Sequence, residues 1–79
     1  MEKIIYSVIE LSKIDKKIYL LVRGSFDNEL HAQKKMIEIA NNYTGIFKEE
    51  RILKYSCSFL EDEDRYINIS IEKNLLTID

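Results

Sequence analysis

From Arg51 onward the apolar residues fall on every second position: Leu53, Tyr55, Cys57 and Phe59 alternate with Lys54, Ser56 and Ser58. A two-residue period puts one set of side chains on each face of a strand, so residues 51–60 predict a strand with one buried and one wet face. Such a strand cannot stand alone. It needs neighbours in a sheet and a second layer over its apolar side, and 79 residues must supply both.

Three other segments read as strands. Residues 3–11 (KIIYSVIEL) put Ile4, Tyr6 and Val8 on one side and Ile5, Ser7, Ile9 and Leu11 on the other. SKIDKK interrupts, and a second run over 17–24 ends at Gly24, so the two segments predict a hairpin with a basic turn. Residues 65–73 set Ile67, Ile69 and Ile71 against Tyr66, Asn68, Ser70 and Glu72. Between the hairpins, residues 27–43 predict the one helix: Ser25 or Asp27 can cap it, Leu30, Met36, Ile37, Ala40 and Tyr43 form its apolar face, and Gly45 can end it. The order is ββαββ. It predicts a single α+β domain spanning 1–79, a four-stranded antiparallel sheet with the helix packed on one face. Spatial orders 2-1-3-4 and 2-1-4-3 both satisfy the connection rules.

One helix covers one face, yet the first hairpin is apolar on both. Ile5, Ile9, Leu11, Tyr19 and Leu21 form the expected outer contact face, opposite Ile4, Tyr6, Val8, Leu20 and Val22. An apolar patch of that kind marks a contact site. Three things can cover it: the tail at 74–79 with Leu75, Leu76 and Ile78, a second copy in a homodimer, or a protein partner.

Charge is uneven along the chain. Residues 61–79 carry six acids against two bases, and residues 1–60 carry ten bases against eight acids, within a net charge of −2. In the ββαββ layout, with strand one up, strand two down, the helix up and strand three down, the Lys13, Lys16 and Lys17 turn and the Glu61, Asp62, Glu63 and Asp64 turn are expected at opposite ends, the acidic one facing the helix N-terminus. The near-balanced charge argues against a protein that holds duplex nucleic acid by phosphate neutralisation. The alternative reading is a small dimeric nucleic-acid-binding regulator in which Lys13, Lys16, Lys17, Lys34 and Lys35 touch phosphates and Tyr66 stacks a base.

Catalytic and cofactor chemistry find little footing. His31 is the only histidine, and Cys57, the only cysteine, falls on the buried side of its strand, so no disulfide, zinc set or activated nucleophile is expected. The acidic turn lacks the ligand spacing and glycine of a calcium loop, so no metal is expected. No glycine-dependent cofactor motif exists, because both glycines fall at turns. No apolar run approaches about 18 residues and the N-terminus carries no cleavage-site pattern, so no membrane contact is expected. With one cysteine and no disulfide, a reducing cytoplasm is the expected home, and a composition rich in Ile, Lys and Asn, without Pro or Trp, suits an AT-rich bacterial or phage genome.

Size, the ββαββ unit and the turn Glu61, Asp62, Glu63 and Asp64 make the chain resemble the compact phage-encoded inhibitors of the anti-CRISPR type. The resemblance implies a non-enzymatic, protein-binding inhibitor. Its acidic turn, with Tyr66 beside it, would compete with nucleic acid for a basic groove on a bacterial defence or nucleic-acid-handling complex.

Overall fold

The chain first reverses at Asp15 and Lys16, whose φ angles of 51° and 70° are both positive. Two successive positive φ values give the two-residue turn that suits a twisted hairpin, and Ile14 pairs directly with Lys17 across it. The computed structural model describes residues 1–77. Its elements are β1 (Glu2–Ile14), β2 (Lys17–Phe26), α1 (Glu29–Ala40), β3 (Glu49–Ile52), β4 (Ser56–Asp62) and β5 (Arg65–Thr77). The class is α+β as expected, but the antiparallel sheet has five strands, in the order β2-β1-β5-β4-β3.

The fifth strand comes from dividing the expected strand at 51–60. The Leu53 N–H donates to the Ser56 carbonyl at 2.8 Å, closing a reversal that folds β3 back on β4 and pairs Ile52 with Cys57. Within β4 the alternation holds, with Cys57 and Phe59 buried. Leu53 and Tyr55 lie in the reversal and remain about half exposed.

The long axis is the β1–β5 pair, in register from Glu2 opposite Thr77 to Ile14 opposite Arg65. Thirteen extended residues span about 44 Å, and the molecule's longest extent is 45 Å. Residues 74–77 therefore prolong β5 beside β1 instead of folding over the first hairpin, and Leu75 and Leu76 stay exposed. Ile78 lies outside the described residues.

With β5 between β1 and β4, the arrangement follows the 2-1-4-3 order, and β1 and β4 run in the same direction. The two hairpin turns thus stand side by side at one end of the sheet. This corrects the expected separation of basic and acidic ends: β3 adds a reversal, so β4 runs opposite to the direction expected. The helix starts just beyond Phe26, which pairs with Tyr6 toward the other end, so its N-terminus does not face the acidic turn.

Helix α1 covers one face. Ala32, Met36, Ile39 and Ala40 recur at helical spacing and pack on Val8, Cys57, Phe59, Ile67 and Ile69, ringed by Tyr6, Phe26, Tyr43, Phe47 and Ile71. Leu30 and Ile37, expected on the covered face, are exposed, because the stripe with small Ala32 and Ala40 sits against the sheet. Asn28, rather than Ser25 or Asp27, caps the helix, its side-chain oxygen accepting from Leu30 N–H at 2.8 Å and His31 N–H at 3.2 Å. The helix stops at Ala40. Tyr43 then turns onto the core beside Phe47 and Phe59, and Gly45 takes its left-handed φ of 84° in the following turn.

Candidate interaction surface

The two-residue turn decides which side chains share a face. Because Ile14 opposes Lys17, Leu11 opposes Leu20, Ser12 opposes Tyr19 and Glu10 opposes Leu21. Of the expected contact face, Ile5, Ile9 and Leu11 do lie together on the side away from the helix. Tyr19 and Leu21 do not: they lie on the helix side, and Ile18, Leu20 and Val22 take their place. Across the rest of this open face, β4 and β5 present Ser56, Ser58, Asn68, Ser70 and Glu72, with Leu60 beside Tyr66 near the hairpin turns and Leu76 toward the other end. Its most continuous apolar strip lies on the first hairpin, and no other element among the described residues covers it.

The strip runs out to a sheet edge. Among the described residues β2 pairs only with β1, and the five consecutive residues Ile18, Tyr19, Leu20, Leu21 and Val22 are between 47% and 67% exposed. The opposite edge is different in kind. β3 is four residues long and carries Glu49, Glu50 and Arg51, a short charged edge of the sort that discourages pairing.

The expected acidic site is partly neutralised by its surroundings. Asp62 accepts the Asp64 N–H at 2.8 Å, folding the turn on itself, and Asp64 lies 3.5 Å from Lys13 Nζ. Arg65 leaves the turn with its guanidinium over the Phe47 ring, 5.5 Å from the centroid. Tyr66 sits on the open face opposite Lys13 and Leu60. Lys16 and Lys17 sit at the hairpin tip on the same end of the sheet.

The expected phosphate-contacting lysines do not form one patch. Lys13 is on the open face, whereas Lys34 and Lys35 belong to the helix on the other side of the sheet, and Lys35 lies 3.6 Å from Glu38. Among the described residues no group of three or more His, Cys, Asp or Glu is placed to hold a metal ion. No helix among them is long and apolar enough to cross a membrane.

Sequence reasoning missed a buried polar cluster. Glu10 is 5% exposed on the helix side of β1, accepts a hydrogen bond from the Tyr43 hydroxyl at 3.2 Å, and has Arg23 Nη1 3.4 Å from its other oxygen. Its signal was present, since Glu10 shares parity with Tyr6 and Val8 and so belongs to the covered face. Arg23 reaches it through a bulge: Val8 opposes Gly24 while Ile9 opposes Val22, leaving Arg23 as the extra residue. Burial, and then the nearby Glu10 carboxylate, raise the Tyr43 phenol above its ordinary pKa. Burial also pushes the Cys57 thiol up, which disfavours a reactive thiolate, and His31 is exposed on the helix.

No family model matches the chain, and neither a curated protein nor a solved structure matches it.

Proposed function

We propose that the chain is a non-catalytic protein-binding module whose contact surface is the open face of the first hairpin. The observation that carries this reading is the uncovered apolar strip formed by Ile5, Ile9, Leu11, Ile18, Leu20 and Val22, on a sheet whose covering helix α1 lies on the other side. Contiguous exposed apolar surface of this kind usually marks a contact with another macromolecule. An inhibitor of a bacterial defence or nucleic-acid-handling complex is the form of module that the chain's size and charge pattern favour. The acidic turn supports that reading less than the strip does, because Lys13 stands beside Asp64.

The test compares capture from bacterial lysate by the parent, by Leu11→Lys, and by a variant with Glu61, Asp62, Glu63 and Asp64 all changed to Lys. Loss of a captured protein with Leu11→Lys and its retention with the turn variant is the expected result. Loss with the turn variant alone would move the site to the acidic turn. Retention of DNA or RNA instead of protein, weakening steeply between about 50 and 200 mM salt, would favour the nucleic-acid reading.

A further inference from the structure

We infer that the β2 edge is a self-association site, and that its occupant is β2 of a second copy of this chain, paired antiparallel about a two-fold axis through Leu20. The inference deepens the protein-binding reading and rests on it only for the use made of the enlarged open face.

The backbone is set up for this pairing. Residues flanking a two-residue hairpin turn exchange both hydrogen bonds, so Lys17, Tyr19 and Leu21 direct their N–H and C=O toward β1. Ile18, Leu20 and Val22 then direct theirs to the free edge. The same alternation, carried across the sheet, puts the Ile71 N–H on the β4 side, where it donates to the Tyr55 carbonyl at 2.9 Å.

The side chains are self-complementary in that register. Leu20 opposes Leu20 of the second copy, Ile18 opposes Val22, and Tyr19 opposes Leu21, so every apolar group at the edge meets another. Lys17 would face Arg23 at each end, but Glu10 lies 3.4 Å from Arg23 and offsets its charge. The five side chains are 47–67% exposed, and edge pairing buries their flanks together with the paired main chain, which sets the interface at the small end of specific contacts and the dimer in a concentration-dependent range. A foreign strand would have to bring a matching apolar run of its own, whereas a second copy carries it already.

The two-fold also closes. The outer edges of the joined ten-stranded sheet are both β3, short and charged, so pairing stops at two copies. Both helices lie on one side, and the two apolar strips merge at the centre of one continuous open face.

Sedimentation against concentration tests the site. The parent mass is expected to rise from 9.4 kDa toward twice that value between about 1 and about 100 µM. Tyr19→Lys with Leu21→Lys sets like charges opposite each other twice and is expected to stay monomeric. Tyr19→Lys with Leu21→Glu sets opposite charges there and is expected to restore the dimer. Leu20→Cys is expected to cross-link on mild oxidation, because hydrogen-bonded pairs sit about 5.5 Å apart at Cα, within disulfide range; Cys57 is buried and stays silent. A parent that remains at 9.4 kDa up to about 1 mM, or a dimer indifferent to both charge variants, overturns the inference. So does a monomer whose Tyr19 and Leu21 variants lose a captured protein, which would assign the edge to a foreign strand. Capture through the open face is read separately with Leu11→Lys, so either idea can fail while the other stands.

Discussion

Arg23→Met tests whether the buried Glu10 carboxylate depends on its ion pair. Glu10 is 5% exposed and faces Ile69 across β5, while the Arg23 side chain keeps 35% of its surface in water. Removing one partner of a fully buried pair costs about 3–5 kcal/mol, because the other charge is left without compensation. Arg23 is not fully buried, and water entering its place would partly solvate Glu10, so a cost of about 2 kcal/mol is expected here. That is a large share of the roughly 4–12 kcal/mol expected for a chain of this length. It corresponds to a melting temperature lower by about 8–16 °C.

Urea unfolding of the parent, Arg23→Met, Glu10→Gln and the double variant separates pairing from packing. In the Glu10→Gln background no charge remains to be orphaned, so Arg23→Met is expected to cost less than about 0.5 kcal/mol. The coupling should then be about 1.5 kcal/mol. An Arg23→Met loss of the same size in both backgrounds would assign the effect to the arginine stem, and a loss below about 0.5 kcal/mol in the parent would refute the dependence of Glu10 on Arg23.

Three further outcomes follow from the core. The Cys57 thiol, 1% exposed, is expected to react with a thiol reagent only as the chain opens, with labelling accelerated by denaturant; labelling within seconds in native buffer would contradict its burial. A Cβ at Gly24 would stand 2.9 Å from the Phe26 ring, so Gly24→Ala is expected to displace that ring from the core margin. The cost is expected to be about 1 kcal/mol, or about 4–8 °C in melting temperature, and an unchanged melt would refute it. Because the Tyr43 pKa is raised in the fold, by burial first and then by Glu10, the neutral phenol is the favoured form. Its contribution is fully present below the unfolded value of about 10 and is lost as pH rises through the higher folded value. Melting temperature is therefore expected to fall less steeply above about pH 10 in Tyr43→Phe than in the parent, and parallel declines would refute the assignment.

What the sequence reveals depends on how local the cause is. Alternation in Cys57 and Phe59, the apolar run at 18–22 and the helical spacing of Met36 and Ala40 are local, and each element lies close to where it was expected. The break at Leu53–Tyr55 was not legible, because both residues continue the alternation and no glycine or proline marks the turn. Strand order was open because the β1–β5 pairing joins the two ends of the chain, and no local pattern chooses between neighbours. The contact face was half legible for a related reason. Ile5, Ile9 and Leu11 follow from the parity of one strand, but their partners depend on the length of the turn in SKIDKK. A turn at Asp15 and Lys16 pairs odd positions of β1 with even ones of β2, which exchanges Tyr19 and Leu21 for Ile18, Leu20 and Val22.

Topology also decides which kind of partner the surface suits. The acids of 61–64 stand apart from Lys13, Lys16 and Lys17 along the chain, yet β4 and β1 run in the same direction and bring the two turns together, with Lys13 Nζ 3.5 Å from Asp64. Opposite charges at that separation form a dipole whose field falls off faster with distance than that of a lone charge, and physiological salt screens what remains beyond about 8–10 Å. An acidic turn can imitate a nucleic-acid backbone only if its field reaches a basic groove, and this one is shortened by its neighbour. Apolar surface is not cancelled in this way: the strip on β1 and β2 remains exposed whatever the turns do. A partner bound through that strip should therefore lose little affinity between about 50 and 200 mM salt, whereas one bound through Glu61, Asp62, Glu63 and Asp64 should lose much of it. The salt profile of the captured complex thus separates the two surfaces without any mutation.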